Sequence, residues 1–140
     1  MKSVVLDASA ALAWLLPSQA TEAASAFLGQ IDATIFQAPA IFAWEVYNVL
    51  VGMVRRGLLT TEGYDKALLN YQRLNIQLHA SAAGIEELAL LARTTRLSLF
   101  DASYFALAVA EGWPLVSRDE ALLTVAVANG VECFDLRSAT

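Results

Sequence analysis

Lys2-Ser3-Val4-Val5-Leu6-Asp7-Ala8-Ser9-Ala10-Ala11-Leu12-Ala13-Trp14-Leu15-Leu16 is the stretch that decides the fold. A short apolar run meets a single acid, and small or long apolar residues follow until Pro17-Ser18 stops them. The run predicts a fully buried strand over residues 1–6, and the segment after it a helix over 9–16. Joining the two through Asp7-Ala8-Ser9 leaves Asp7 at the strand's carboxyl edge. In open parallel α/β sheets that edge is where ligands bind.

The same alternation continues along the chain. Helices are expected over 21–29, 41–56 and from Thr60-Thr61 to about 74, with Gly57 ending the second so that the last two form a helical hairpin. Strands are expected over 34–38, closed by Pro39, and over 75–79. Ser81 is expected to cap a helix to about 95, and Ser98 another to about 111. A strand over 114–117, a helix over 119–129 closed by Gly130, and a strand over 131–134 complete the series. Strands alternating with helices predict a three-layer α/β/α sandwich around a mostly parallel sheet. At 140 residues, with no repeat or linker, the chain fits one domain over 1–140 that frays only in its last few residues.

Composition narrows the function. Hydrophobic residues make up 57% of the chain, yet no apolar run approaches the roughly 18 residues a membrane crossing needs, and the N-terminus lacks a secretory pattern. A cytosolic protein is expected, with an oligomer or partner contact covering the apolar surplus. Cys133 is the only cysteine, which excludes an internal disulfide and a cysteine-based zinc site, and its apolar setting suggests a small buried residue. Fourteen acids against nine bases give a net charge of −5, the wrong sign for binding nucleic acid by phosphate neutralisation alone. A nucleic-acid substrate would need metal ions and a local patch such as Arg55, Arg56, Arg93 and Arg96.

Four acids stand where the chain otherwise has little use for charge. Asp7 can cap the following helix, but Ser9 can take that task and leave Asp7 free to point from the sheet edge. Glu45 is the only acidic or basic residue between Pro39 and Val54, with Asn48 one turn later. In a helix buried nearly all round it would need a base, a hydrogen-bonded site or a metal, and metal or a metal-linked water is favoured. Asp101 follows Ser98 at capping-box spacing, and Asp119 can cap its own helix, with Ser117 and Glu120 as alternatives. Each has a structural reading alone. A sheet that gathers strand ends would make them converge, and like charges about 4 Å apart repel by about 4 kcal/mol at an effective dielectric of about 20 unless a cation intervenes. Hard oxygen ligands suit Mg²⁺ or Mn²⁺, which polarise phosphoryl oxygens and activate water.

With these residues in view, the chain resembles the PIN-domain ribonucleases and, among them, the VapC-type toxins of bacterial toxin–antitoxin modules. Val5-Leu6-Asp7-Ala8-Ser9-Ala10 is similar to the family's opening strand and first acid, and Glu45-Val46-Tyr47-Asn48-Val49-Leu50 with Arg55-Arg56-Gly57 to its second-acid helix. Leu99-Phe100-Asp101-Ala102-Ser103-Tyr104-Phe105-Ala106-Leu107-Ala108 is similar to the third-acid helix, and Ser117-Arg118-Asp119 to its Thr/Ser-x-Asp. Ala8, Phe100 and Ser117 depart from the commoner Thr, Tyr and Thr, and none removes a carboxylate. The resemblance implies that Asp7, Glu45, Asp101 and Asp119 bind one or two Mg²⁺ or Mn²⁺ ions, with Ser9, Asn48 and Ser117 orienting carboxylates or water. It further implies in-line endonucleolytic cleavage of RNA leaving 5′-phosphate and 3′-hydroxyl ends, a homodimer, and a cognate VapB-type antitoxin whose C-terminal segment lies in the active-site groove.

The remaining residues have quieter readings. His79 is expected in a surface or hydrogen-bonded structural role, and Trp14, Trp44 and Trp113 in core or interface, although Trp44 beside Glu45 could line a groove. A rival of a different class is a catalytically silent PIN-like module that binds protein or RNA, its acids holding a structural cation or capping helices. Phosphatases of the haloacid dehalogenase type want a second Asp where Ser9 stands, and receiver domains want paired acids and a late Lys, whereas the last Lys here is Lys66.

Overall fold

The computed structural model describes residues 2–29, 33–81 and 83–137, and the order of elements follows the alternation of the sequence. β1 (Lys2–Leu6) leads to α1 (Ala8–Leu15), a short 3-10 turn (Pro17–Gln19) and α2 (Glu22–Leu28). β2 (Thr34–Pro39) is followed by α3 (Ile41–Arg55) and α4 (Thr61–Leu74), and β3 (Gln77–His79) by α5 (Ile85–Thr95) and α6 (Leu99–Glu111). β4 (Leu115–Ser117), α7 (Glu120–Ala128) and β5 (Cys133–Asp135) close the series. Met1 of the first expected strand and the tail expected to fray, residues 138–140, lie outside the described residues.

The five strands form one parallel sheet in the order β3-β2-β1-β4-β5. The chain runs outward from β1 to β3, then returns to β4 on the other side of β1. Right-handed crossovers therefore put α1 to α4 on one face and α5 to α7 on the other, giving the three-layer sandwich. Val4, Val5 and Leu6 of β1 and Leu115 and Val116 of β4 are buried between the layers. The reversal beside β1 is the topological switch point, the place where open α/β sheets bind their ligands.

The helical hairpin forms as the sequence predicts. Phe42 at the start of α3 stacks on Tyr71 near the end of α4, and Gly57 takes the positive φ of 72° that ends α3. Two boundaries differ. Asn75 adopts left-handed geometry at the end of α4, so β3 begins at Gln77, and α5 starts after Gly84, with the Ser81 hydroxyl turned to the Ala83 carbonyl. Trp14 stacks against Phe27 and donates its indole N–H to the Ala24 carbonyl, while Trp113 packs beside His79, whose ring hydrogen-bonds Gln37. Cys133 is half-buried, more open than its apolar setting suggests. Among the described residues no helix is long and apolar enough to cross a membrane.

Candidate active site

The switch point brings Asp7 and Ser117 together. Leu6 pairs with Val116, and the Asp7 amide donates to the Val116 carbonyl at 3.1 Å, so Asp7, just after β1, lies beside Ser117 at the end of β4. Asp7 is 3% exposed and Ser117 fully buried. The Ser117 hydroxyl donates to Asp7 Oδ2 at 2.6 Å and accepts the Asp119 amide at 2.9 Å. On the other side the Ser9 hydroxyl donates to Asp7 Oδ1 at 2.7 Å and accepts the Arg118 amide at 3.0 Å.

Asp7 itself caps α1, its Oδ1 accepting the Ala10 amide at 2.9 Å. This corrects the expectation that Ser9 would free it from capping. Both residues can cap, but the first exposed amides of α1 point to the residue before the helix, and Ser9 already lies inside it. Asp7 performs both tasks, because Oδ1 takes two of its three hydrogen bonds and Oδ2 keeps an unshared lone pair. Burial pushes the Asp7 carboxyl up to about 6, against the pull of Ser117, Ser9 and the Ala10 amide, and Asp101 adds a like charge.

Glu45 and Asp101 face this centre from the helices. Glu45 is half-buried and raised above the ordinary range, first by desolvation and then by Asp101, while the Tyr104 hydroxyl donates to its Oε1 at 2.7 Å and opposes the shift. Asp101 lies in the first turn of α6 below the Ser98 cap, and is raised by burial and by Asp119. Asp119 caps α7 through the Leu122 amide at 2.9 Å. The four acids influence one another in sequence, Asp101 acting on both Asp7 and Glu45 and Asp119 acting on Asp101. They remain an open set: among the described residues no three His, Cys, Asp or Glu side chains stand close enough to form a ready metal cage. Helix caps hold Asp7 and Asp119, and hydroxyls from neighbouring elements hold Asp7 and Glu45.

Asn48 is exposed and hydrogen-bonds neither Glu45 nor another described side chain, so it does not orient Glu45 here. The premise that α3 is buried nearly all round also fails, because Trp44 is 77% exposed and Tyr47, Val51 and Val54 are open too. A run without charges cannot distinguish a helix enclosed by its own fold from one with an open apolar face. Tyr104 is the residue the sequence reading missed. Its signal is a tyrosine one turn after Asp101 among small buried residues, where a buried phenol needs a hydrogen-bond partner. Arg118 was missed as well: its guanidinium spans the Ser9 carbonyl (2.6 Å), the Gln19 carbonyl (3.1 Å) and Gln19 Oε1 (2.6 Å), tying the loop after β4 to α1.

The donor set is oxygen alone, with one unshared Asp7 lone pair, a Glu45 Oε2 without a partner among the described residues, and two further carboxylates. That chemistry fits a hard divalent cation. Acids placed around the switch point of a parallel α/β sheet would suit charged, phosphate-like ligands bridged by a hard cation. The chain belongs to the PIN domain family, which its sequence matches over residues 4–128. It is 34% identical over 121 residues to Ribonuclease VapC3 of Mycobacterium tuberculosis, covering 86% of this chain and 85% of that protein. Its fold is similar to PAE2754 from Pyrobaculum aerophilum (TM-score 0.69, 20% identity, 95% of this chain and 84% of that one). A toxin-antitoxin complex from Klebsiella pneumoniae shares the fold with a TM-score of 0.53, 17% identity and coverage of 83% and 86%.

Proposed function

We propose that the protein is a cytosolic endoribonuclease toxin that hydrolyses RNA phosphodiester bonds with Mg²⁺ or Mn²⁺ and is restrained by a VapB-type antitoxin. The observation that carries this reading is Asp7, a buried carboxylate held by three donors at the switch point, with three more carboxylates acting on it or on one another. The 34% identity to a named ribonuclease supports the reaction, and the fold shared with a toxin-antitoxin complex supports the partner.

Asp7, Glu45, Asp101 and Asp119 would hold one or two ions. When bound, such an ion polarises the scissile phosphate and makes water a better nucleophile at neutral pH. The chain's own residues prepare for that. Ser117 and Ser9 keep Asp7 ionised against its burial, and Tyr104 holds one Glu45 oxygen and leaves the other free for a cation. These donors are neutral, so they orient the acids without cancelling the charge that draws a cation. Arg96 lines a groove beside Asp119 with Thr95 and Thr124 and supports a path for the RNA backbone. The open apolar side chains of α3 support a homodimer or antitoxin contact.

One observation favours the silent-module alternative: Asp7 and Asp119 both cap helices, a sufficient structural task. The deciding experiment incubates antitoxin-free protein with a mixed RNA pool in Mg²⁺, Mn²⁺ or EDTA beside Asp7→Asn. Metal-dependent cuts with 5′-phosphate ends that the variant lacks are expected. Folded protein that leaves the pool intact in every metal would transfer the reading to the silent module.

A further inference from the structure

We infer that Tyr104 is a positioning residue that ties the Glu45 carboxylate to the helix carrying Asp101 and so sets how tightly the acids hold a divalent cation. The inference rests on the reading above that these acids bind metal, and adds a residue to it.

Three observations carry it. The Tyr104 ring is 1% exposed within the core, and its hydroxyl donates to Glu45 Oε1 at 2.7 Å. Glu45 pairs with no basic side chain among the described residues, so the phenol is the group that orients it. The bond also joins two helices that share one main support, the strand β2. α3 packs on α1, α4 and β2, whereas α6 packs on α5, α7 and the strands β1, β2 and β4. The Tyr104–Glu45 bridge therefore adds a direct side-chain tie between helices that otherwise meet chiefly through the sheet.

Tyr104 follows Asp101 by three residues, which puts the two on one side of α6. One helix thus supplies an acid of the site and the donor that orients another. A phenol suits the task better than Lys or Arg would, because it donates one directed hydrogen bond and leaves the carboxylate's charge for the cation. It occupies Oε1 and leaves Oε2 without a partner among the described residues.

The test is Tyr104→Phe in the full chain, which keeps the ring in the core and deletes only the hydroxyl. Mn²⁺ alone is titrated calorimetrically into wild type, Tyr104→Phe, Glu45→Gln and the double variant. Groups that orient ligating side chains are worth roughly tenfold to a hundredfold in metal affinity. A loss of at least about tenfold is expected in Tyr104→Phe, with little further loss when the substitution is added to Glu45→Gln, because the hydroxyl acts only through that carboxylate. In RNA cleavage the Mn²⁺ concentration for half-maximal rate should rise while KM for RNA holds. The inference is overturned if Tyr104→Phe binds Mn²⁺ as wild type does, if the loss is equally large in the Glu45→Gln background, or if wild type binds no Mn²⁺. Wild type that binds Mn²⁺ with the predicted dependence on Tyr104, yet cuts no RNA, would sink the ribonuclease proposal and leave this inference standing.

Discussion

Removing the charge that the proposed chemistry needs should stabilise the metal-free fold. Asp7 is 3% exposed, and its carboxyl is raised from 3.8 to about 6. At about 1.36 kcal/mol for each pH unit, keeping it ionised in the folded state costs about 3 kcal/mol. The sign follows from the raised value: the group's contribution to stability is fully present below about pH 4 and is lost as pH rises through about 6. Asp7→Asn removes that loss and keeps a helix cap, since Asn caps as well as Asp. Its amide accepts at one oxygen only, so one of the two serine hydroxyls must turn away, returning about 1 kcal/mol. The net expectation in EDTA at pH 8 is a gain of about 2 kcal/mol, or roughly 6 °C in Tm for a chain of this size. At pH 4 the gain should vanish or reverse. Thermal unfolding by circular dichroism at both pH values tests this, and the reasoning fails if the variant is no more stable at pH 8 or if its advantage is the same at pH 4. Saturating Mn²⁺ should then close the gap by raising the wild type alone, about 2.7 kcal/mol at a hundredfold excess over Kd.

Ser117→Ala deletes a fully buried hydroxyl that bridges Asp7 and the Asp119 amide, and chemical denaturation should show a loss of about 1–3 kcal/mol, with Mn²⁺ affinity reduced roughly tenfold or more. Asp101→Asn removes the charge that acts on both Asp7 and Glu45, so metal-dependent RNA cleavage should fall at least about a hundredfold while a pH titration shows the Asp7 carboxyl moving down. Cleavage by wild type should rise with pH through about 6, as the raised carboxyls must shed protons to bind a cation; a rate flat from pH 5 to 8 would count against it. Val51→Asp with Val54→Asp places charge on the open face of α3 and should shift sedimentation toward the 15.1 kDa monomer if that face is the dimer contact.

The sequence made legible whatever depends on local pattern. The apolar run before Asp7, the turn residues and the strand–helix alternation contain the sheet, and the switch point follows once β4 is taken to return beside β1. The placement of three of the acids at strand or helix ends was readable for the same reason. What it left open depends on contacts distant in the chain or on two groups competing for one task. Ser9 and Asp7 can each cap a helix, and only the position of the first turn decides between them. Glu45 demanded a partner, but nothing local shows that the partner lies 59 residues away on α6. Arg118 reads as a surface base until α1 and the loop after β4 are seen to meet.

The arrangement around Asp7 shows why hydroxyls rather than cations were placed there. A Lys or Arg paired with Asp7 would lower its carboxyl and stabilise the fold, but it would also neutralise the charge a divalent ion must find. Arg118 is close enough to feel Asp7, yet its guanidinium is spent on the Ser9 carbonyl and on Gln19, all neutral acceptors. Its backbone amide instead holds the Ser9 oxygen, which leaves the Ser9 proton for Asp7. Ser117 repeats the pattern, accepting the Asp119 amide and donating to Asp7. Each serine is thus polarised by a backbone N–H on one side and turned toward the same carboxylate on the other. The fold bears the cost of an unneutralised buried acid so that the site keeps both its geometry and its charge, and the extra stability expected of Asp7→Asn measures that cost.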